Sequence, residues 1–204
     1  RAFDVASRGL DGLDFTVVCE GDEYRFRTGL AGRHLIGAAL PAIGLGRYLG
    51  LDWEEIAAGL NDPAAELRLR VVAGAGGSRL LDDSYNASPA SVRGALDLLV
   101  ELSGRKIAVL GDMRELGSAE ESAHREIGAY AAARVDRLIV VGNLASVLAE
   151  AARRAGHGAV TQAASKDDVV DLLRRELRPG DQVLVKGSRG LELETIVEAL
   201  REAG

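Results

Sequence analysis

The sequence is poor in the residues that form disulfide bonds and metal clusters. Cys19 is the only cysteine among 204 residues, so neither an internal disulfide nor a thiolate metal cluster can form. We interpret it as a small side chain in or beside a strand. The three histidines, His34, His124 and His157, are too scattered to indicate a metal-binding motif, and we expect no metal site among these residues.

Long apolar runs and a recognisable signal peptide are also missing. No segment approaches the roughly 18 apolar residues that a membrane helix needs, and no secretory signal opens the chain. The formal net charge of −6 argues against broad, non-specific binding of nucleic acid. These features predict a cytoplasmic protein that neither inserts into a membrane nor binds nucleic acid. The chain begins at Arg1 rather than Met, and we expect it to be a processed chain or a piece of a longer one.

The pattern of predicted strands and helices changes near residue 67. Ahead of it, residues 1–30 have β character with a hairpin turn at 20–23, and helical patterns follow over 34–49 and 53–60. After it, strands alternate with helices, as in parallel βαβ units. These strands are predicted at 68–73, 79–83, 105–110, 137–141, 159–161 and 182–186. We therefore predict an α/β fold with a mostly parallel sheet and flanking helices, preceded by a β-plus-helix piece too short to complete a core.

Helix starts carry capping signals. Two pairs have the spacing of a capping box, Asp52 with Glu55 and Ser118 with Glu121. Ser88, followed by Pro89, and Ser165 are predicted to begin two further helices. The last helix is predicted over 191–202.

Three of the predicted strands end in polar turns. The first enters Asp82-Asp83-Ser84-Tyr85-Asn86-Ala87-Ser88-Pro89, the second Gly111-Asp112-Met113, and the third Lys186-Gly187-Ser188-Arg189-Gly190. A strand that enters a polar turn at a helix N-terminus is where α/β proteins bind phosphates and nucleotides. Because the carboxyl ends of parallel strands share one edge of a sheet, the three turns are predicted to form one site.

The first turn has the residue types of a nucleotide contact. Asp82 and Asp83 are suited to accept ribose hydroxyls or to hold a metal–phosphate group, although strand-end carboxylates also serve as turn or cap residues. Tyr85 is suited to stack on a base and Asn86 to hydrogen-bond a ligand, while asparagine is also common in ordinary turns. The residues alone leave both interpretations open.

The third turn has the residue types of an anion clamp. Lys186, one of only three lysines, is followed by the hydroxyl of Ser188 and the guanidinium of Arg189, beside glycines that let the backbone approach a ligand. Such a set suits a carboxylate or a phosphate; a solvated loop with Ser188 as a helix cap is the alternative. Asp112 is expected in the same crevice, or else is an ordinary strand-end aspartate.

No phosphate loop of the Walker type occurs in the sequence. The glycine-rich stretch 74–77 leads into a strand rather than a helix, and it is therefore predicted to be a turn. The usual means of holding ATP phosphates is thus missing from these residues. The absence of G-x-G-x-x-G after the first strand also argues against a dinucleotide oxidoreductase.

Taken together, the three turns resemble motifs of the Mur ligase family of peptidoglycan synthesis. Residues 82–89 resemble that family's D-D-S-Y-N-A-N-P, and residues 185–190 resemble V-K-G-S-R-G. Residues 108–117 resemble A-V-L-G-D-M-x-E-L-G, with His124 at the place of a downstream histidine. Three ordered motifs with suitable spacing make the resemblance specific, and it covers the whole chain.

The resemblance implies a division of the chain and a reaction. Residues 1–66 are similar to the tail of the family's central ATP-binding domain, and residues 67–204 to its complete C-terminal Rossmann-like domain. The implied reaction joins D-alanyl-D-alanine to UDP-N-acetylmuramoyl-tripeptide, two small-molecule substrates, through an acyl phosphate made from ATP. ATP and Mg²⁺ are then held mainly by a part of the central domain that this sequence lacks. We therefore expect this chain alone to be inactive. We also expect the protein to be a monomer.

The resemblance also implies roles for individual residues. The residues that the resemblance implies to contact the nucleotide are Asp83, Tyr85, Asn86, Arg68 and His34. Contacts with the incoming dipeptide fall on Lys186, Ser188, Arg189 and Asp112, with Ser188 at its carboxylate. No catalytic residue is assigned within this chain.

Departures from the family pattern keep a second hypothesis open. Leu35 and Ala38 stand where the family has asparagines that contact the nucleotide, and Leu67 replaces the glycine before the linker arginine. A non-catalytic, ligase-like binding or regulatory module is therefore the alternative to an ATP-dependent amide ligase. A plain nucleotide-binding or receiver-like α/β domain is a third interpretation, against which the second and third motifs argue.

Overall fold

Residues 1–62 and 69–202 are described by a computed structural model. The chain divides into two units, Arg1–Leu67 and Arg68–Gly204. Within the described ranges, no helix is long and apolar enough to cross a membrane. The assignment of the units to domains of a larger protein stays a prediction.

The first unit is a three-stranded antiparallel sheet with two helices. Its strands are β1 (Ala2–Ser7), β2 (Leu13–Cys19) and β3 (Asp22–Thr28), in that order across the sheet, and its helices are α1 (Ile36–Tyr48) and α2 (Trp53–Leu60). Glu20 and Gly21, both with positive φ, form the two-residue turn between β2 and β3, as is typical of tight hairpins. The hairpin and both helices agree with the sequence prediction, whereas no sequence pattern singles out β1.

Alternating residues of β2 build a small core against these helices. Leu13, Phe15 and Val17 are buried together with Phe26 of β3. The cluster is completed by Ala39, Ile43 and Ile56 from the helices. Each large apolar side chain buried in this way contributes about 1.5–3 kcal/mol. The segment thus has a small apolar cluster, and the expectation that it is too short to complete a core stays a prediction.

The second unit is a six-stranded sheet. In chain order its strands are β4 (Arg70–Gly74), β5 (Ser78–Asp83), β6 (Lys106–Leu110), β7 (Arg137–Val140), β8 (Val160–Gln162) and β9 (Gln182–Lys186). Across the sheet they lie in the order β4-β5-β9-β6-β7-β8. All neighbouring pairs from β5 to β8 are parallel, and the β4–β5 pair is antiparallel. The predicted α/β fold with a mostly parallel sheet is confirmed.

Within residues 69–202, five helices flank this sheet. They are α3 (Pro89–Glu101), α4 (Glu120–Ala132), α5 (Ala145–Arg154), α6 (Lys166–Glu176) and α7 (Glu194–Leu200). Helices α6 and α7 bury their apolar side chains against Leu80, Val109 and Val185 of the strands, while α3, α4 and α5 pack side by side. All five residues of β9 are buried, which is expected of a central parallel strand covered on both faces.

The start of α4 differs from the sequence prediction. Ser118 lies in a 3₁₀ turn, Gly117–Ala119, and α4 begins only at Glu120, with no side-chain cap. The predicted capping box of Ser118 with Glu121 is therefore wrong, because Ala119 rather than Ser118 is the residue directly before the helix. Capping boxes do form at the starts of α2, α3 and α6, where Asp52, Ser88 and Ser165 accept from the backbone three residues on.

The first strand and the last helix of the second unit also differ in detail from the prediction. β4 is not part of a βαβ unit but pairs back on β5 through a turn at 74–77, in which Gly76 and Gly77 both have positive φ. The prediction of a turn at these glycines is confirmed. The last helix covers Glu194–Leu200 rather than 191–202, because a 3₁₀ turn, Arg189–Leu191, precedes it.

Charged groups hold Tyr130 between α3 and α4. Its hydroxyl donates to Asp97 Oδ1 at 2.7 Å, and the guanidinium carbons of Arg93 and Arg134 lie 4.4 and 3.4 Å from its ring centroid. Burial and the hydrogen bond to Asp97 raise the pKa of Tyr130 above its usual value, although both arginines oppose the shift. The fold therefore favours the neutral phenol.

We expect this preference to appear as a pH dependence of stability. A pKa raised by folding means that the unfolded chain releases the phenolic proton first. The contribution of Tyr130 is then complete below about pH 10, the usual tyrosine pKa, and is lost as the pH rises through the folded value. Urea unfolding between about pH 8 and pH 11 should show this loss in the wild type and a weaker loss in Tyr130→Phe. Tyr48→Phe, which removes the hydroxyl of an exposed tyrosine, is the control, and equal pH dependence in wild type and Tyr130→Phe would contradict the prediction.

Candidate functional site

The carboxyl ends of β5, β9 and β6 lie side by side. Asp83, the last residue of β5, is paired with Lys186 of β9, which is in turn paired with Leu110 of β6. All three polar turns leave the sheet at this point, as predicted. We call this region, formed by residues 82–89, 111–117 and 186–192, the carboxyl edge.

A buried ion pair joins the first and third turns. Lys186 Nζ lies 2.7 Å from Asp83 Oδ2 and donates to the backbone carbonyl of Asn86 at 2.8 Å. Lys186 is only 2% exposed. The Lys186 ammonium, which is predicted to contact the dipeptide, thus binds the turn after β5. Asp83, which is predicted to contact the nucleotide, pairs with this ammonium.

Asp82 is engaged within the protein as well. Its Oδ2 accepts from Arg70 at 2.8 Å, while its Oδ1 accepts from the backbone N–H and the hydroxyl of Ser84. The hydrogen bond to Asp82 raises the pKa of Arg70 further above its usual range. Asp82 therefore ties the edge strand β4 to the first turn, which agrees with the turn-carboxylate alternative for this residue.

Asp112 closes the turn between β7 and α5. Its two carboxylate oxygens accept from the backbone N–H groups of Asn143 and Leu144, both at 2.9 Å. The preceding Gly142 has φ +127°, and a Cβ there would lie 2.4 Å from Asp112 Oδ1. Asp112 is buried, so the carboxylate predicted to lie near the dipeptide satisfies the start of the α5 segment instead.

Ser188 joins the third turn to the second. Its N–H donates to the carbonyl of Asp112 at 2.9 Å, and its Oγ accepts from the N–H of Arg114 at 2.8 Å. It makes no side-chain cap on the 3₁₀ turn that follows, so the interpretation of Ser188 as a helix cap is wrong. Across residues 1–62 and 69–202, its own O–H donates to no acceptor.

His124 supports the second turn from beneath. It is fully buried, its Nε2 accepts from the N–H of Met113 at 2.9 Å, and its Nδ1 lies 2.7 Å from the carbonyl of Glu120. An accepting Nε2 requires the proton on Nδ1, so the ring is the neutral tautomer in this arrangement. His124 is therefore a positioning residue for the turn, not a ligand-facing one.

Some side chains of the carboxyl edge do face solvent. Tyr85 is 51% exposed, and the guanidinium carbon of Arg189 lies 5.8 Å from the centroid of its ring. Arg189 also pairs with Glu194 at 2.6 Å. Asn86 is exposed, with its side-chain oxygen accepting from the next backbone N–H at 2.8 Å. An aromatic face, an amide and a guanidinium thus line the outer side of the edge.

Two other predicted nucleotide contacts are outside the residue ranges that define the carboxyl edge. His34 lies in a 3₁₀ turn, Arg33–Leu35, ahead of α1 in the first unit, and Arg68 lies outside the described residues. Leu35 ends that turn, and Ala38 is exposed in α1. The structure brings together the other seven predicted site residues at the edge: Asp83, Tyr85, Asn86, Asp112, Lys186, Ser188 and Arg189.

The carboxyl edge does not fit a resident Mg²⁺ ion. In the described ranges no group of three His, Cys, Asp or Glu residues is placed to hold a metal. The three edge aspartates are also engaged, Asp82 by Arg70, Asp83 by Lys186, and Asp112 by backbone N–H groups. The fold therefore uses the carboxylates of these three aspartates for its own contacts, which argues against the interpretation that Asp82 and Asp83 hold a metal–phosphate group.

Two features of the edge are missed by sequence reasoning. Arg114 stands at the variable position of the second motif, and Gly142 belongs to none of the three motifs. A glycine directly after the apolar run 138–141 is the signal by which Gly142 can be found, since a positive φ is needed where such a strand turns sharply. No sequence signal distinguishes Arg114 from the other arginines.

Comparison with known families matches residues 67–189 to the Mur ligase, glutamate ligase domain. The chain is 35% identical over 202 residues to the UDP-N-acetylmuramoyl-tripeptide--D-alanyl-D-alanine ligase of Bacillus subtilis, covering 97% of this chain and 44% of that protein. It is 36% identical over 199 residues to the Escherichia coli ligase of the same name, covering 95% of this chain and 42% of that protein.

Among solved structures, the chain is similar to MurF from Acinetobacter baumannii, with a TM-score of 0.81 and 26% identity. The match covers 97% of this chain and 43% of that one. The chain thus spans less than half the length of these relatives. Because the family match extends over more than half of the chain and confirms the resemblance of the three motifs, this chain belongs to the Mur ligase family.

Proposed function

We propose that this chain is the C-terminal part of an ATP-dependent ligase that joins D-alanyl-D-alanine to UDP-N-acetylmuramoyl-tripeptide. The observation that carries the proposal is the carboxyl edge, where three Mur ligase motifs lie on adjacent strand ends. The names of relatives that are 35% and 36% identical support the choice of substrates.

The reaction has two chemical steps. A terminal carboxylate oxygen of the tripeptide attacks the γ-phosphorus of ATP, so that an acyl phosphate forms and ADP leaves. The amine of the dipeptide then attacks the acyl carbon, the amide bond forms, and inorganic phosphate leaves as the amine releases its proton. Binding and orientation of the two reactants are what this chain's residues supply to the second step.

The carboxyl edge divides this work between buried and exposed residues. Buried Lys186, Asp83 and Asp112 act as positioning residues, because their charged groups already bind the turns. Exposed Tyr85 and Asn86 line the nucleotide side. The carboxylate of the dipeptide is bound by Ser188 and Arg189, whose hydroxyl and guanidinium donate to anions.

The rest of the ATP site belongs to the central domain in this proposal. Residues 1–66 are the end of that domain and contribute His34 to the nucleotide site, with Arg68 following at the linker. ATP phosphates and Mg²⁺ are held by residues of the longer protein, since no phosphate loop occurs in this sequence. Its substrates are small molecules, and the protein acts as a cytoplasmic monomer.

A non-catalytic ligase-like module is the second candidate function. Leu35 and Ala38, which replace the family's asparagines, have no polar side-chain atoms with which to bind a nucleotide. A protein that has lost these contacts would bind a partner or a ligand without turnover.

Phosphate release by the full-length protein tests the two candidates. We expect release that requires ATP, UDP-N-acetylmuramoyl-tripeptide and D-alanyl-D-alanine together, because the acyl phosphate forms only on the tripeptide and is consumed by the dipeptide. The 204-residue chain alone should release none, since it lacks the phosphate loop. A full-length protein without release would support the module, and calorimetric titration with ATP and with D-alanyl-D-alanine would then identify what it binds.

A further inference from the structure

Among the described residues, the guanidinium of Arg114 has no partner, whereas two other cations of the carboxyl edge are paired. Lys186 binds Asp83 at 2.7 Å, and Arg189 binds Glu194 at 2.6 Å. Arg114 is exposed, and across the described residues its guanidinium forms neither an ion pair nor a hydrogen bond. The charge of this guanidinium is therefore not used by the fold of the described residues.

The backbone around Arg114 is nevertheless held at several consecutive points. The N–H of Met113 donates to the buried His124, and the N–H of Arg114 itself donates to Ser188 Oγ. Glu115, the next residue, has φ +65°, a conformation that a residue with a Cβ adopts only at a cost of about 1–3 kcal/mol. The backbone that carries the Arg114 side chain is therefore held in one conformation before a ligand binds.

The guanidinium lies over a glycine. At Gly190 a Cβ would come within 2.4 Å of Arg114 Nη1 and 3.3 Å of its Cζ, so a residue with a side chain there would displace the guanidinium. Gly190 belongs to the 3₁₀ turn that follows Ser188. Two contacts therefore link Arg114 to the segment that begins at Ser188. Ser188 Oγ accepts from the backbone N–H of Arg114, and the guanidinium of Arg114 lies over Gly190 in the turn that follows Ser188.

We infer that Arg114 binds the carboxylate of the incoming dipeptide, an inference that rests on the proposed function. A guanidinium presents two parallel N–H donors that match the two oxygens of a carboxylate, and the O–H of Ser188 adds a third donor. Arg114 occupies the variable position of the second motif. The contact is therefore a property of this chain and is not required by the motif.

The test is steady-state kinetics of the full-length protein with Arg114→Gln. We expect the KM for D-alanyl-D-alanine to rise about tenfold to a hundredfold, the range for a lost hydrogen-bonded charge, with kcat and the KM for ATP little changed. Arg114→Lys should raise the KM for D-alanyl-D-alanine less, because lysine retains the charge but not the two parallel N–H donors. Arg175→Gln, an exposed arginine on α6, is the matched control and should leave both KM values unchanged.

A substrate without the carboxylate makes the test specific. D-Alanyl-D-alaninamide should be a poor substrate for the wild type, and Arg114→Gln should weaken its use no further, because the group that Arg114 binds is already missing. A rise in the KM for ATP instead would assign Arg114 to a phosphate and overturn the inference. Normal wild-type turnover with an unchanged dipeptide KM in Arg114→Gln would overturn this inference alone, whereas absence of wild-type turnover would overturn the proposed function with it.

Discussion

Replacing Lys186 by methionine is expected to lower the free energy of unfolding of the 204-residue chain by about 3–5 kcal/mol, the usual cost of breaking a buried ion pair. The side chains of Lys186 and Asp83 are only 2% and 12% exposed. Removal of the ammonium takes away the counter-charge 2.7 Å from the buried Asp83 carboxylate and the donor to the carbonyl of Asn86. Urea denaturation followed by circular dichroism measures the change at pH 7.

Two further variants separate the ion pair from general damage. Lys166→Met removes an ammonium whose side chain is 34% exposed and 3.8 Å from Glu192, and it should cost less than about 1 kcal/mol. Asp83→Asn combined with Lys186→Met removes both charges, so the double variant should be more stable than the sum of the single changes predicts, by about 1–3 kcal/mol. Strict additivity of the two substitutions would contradict an energetic role for the pair.

The meeting of the three polar turns could be predicted from sequence. Each turn follows a strand of the predicted βαβ pattern, and the carboxyl ends of parallel strands lie at a common edge of the sheet. The prediction that the turns meet does not require the order of the strands across the sheet to be known. The capping boxes at Asp52 and Ser88 are equally local, since they involve residues three positions apart.

The contacts inside the edge could not be predicted, because they depend on strand order. β9 is last in the chain but lies between β5 and β6, which places Lys186 beside Asp83 across 103 residues of sequence. From the sequence alone, each of these residues has an unpaired charge suited to a ligand. In the structure their charges neutralise each other, and Lys186 joins the first turn to the third.

Local rules also fail where the tertiary structure supplies a different partner. Ser118 has the spacing of a helix cap, yet the segment before α4 forms a 3₁₀ turn and the cap is not used. The second turn is instead held by His124 and Ser188, which contact the backbone of Met113 and Arg114. Such contacts join residues that are 11 and 74 positions apart, and no pattern within a single element reveals them.

Replacing Gly142 by alanine is expected to destabilise the chain by at least about 3 kcal/mol. Its φ of +127° disfavours a Cβ, and that Cβ would lie 2.4 Å from Asp112 Oδ1, so the carboxylate must leave the N–H groups of Asn143 and Leu144. Backbone strain contributes about 1–3 kcal/mol, and each hydrogen bond lost from the Asp112 carboxylate adds about 1.5–3 kcal/mol. Urea denaturation of the 204-residue chain gives the measurement.

A substitution at Gly156 separates the cost of backbone strain from the cost of the steric clash between the new Cβ and Asp112. It also has a positive φ, +91°, but a Cβ there meets nothing within 4 Å, so Gly156→Ala should show only the strain term of about 1–2 kcal/mol. If the excess cost at Gly142 comes from displacing the carboxylate, Gly142→Ala should cost much less in an Asp112→Ala background, where that carboxylate is already gone. An equal cost in both backgrounds would mean that Asp112 does not hold the start of α5 through these bonds. The positioning role of Asp112 would then have to be withdrawn.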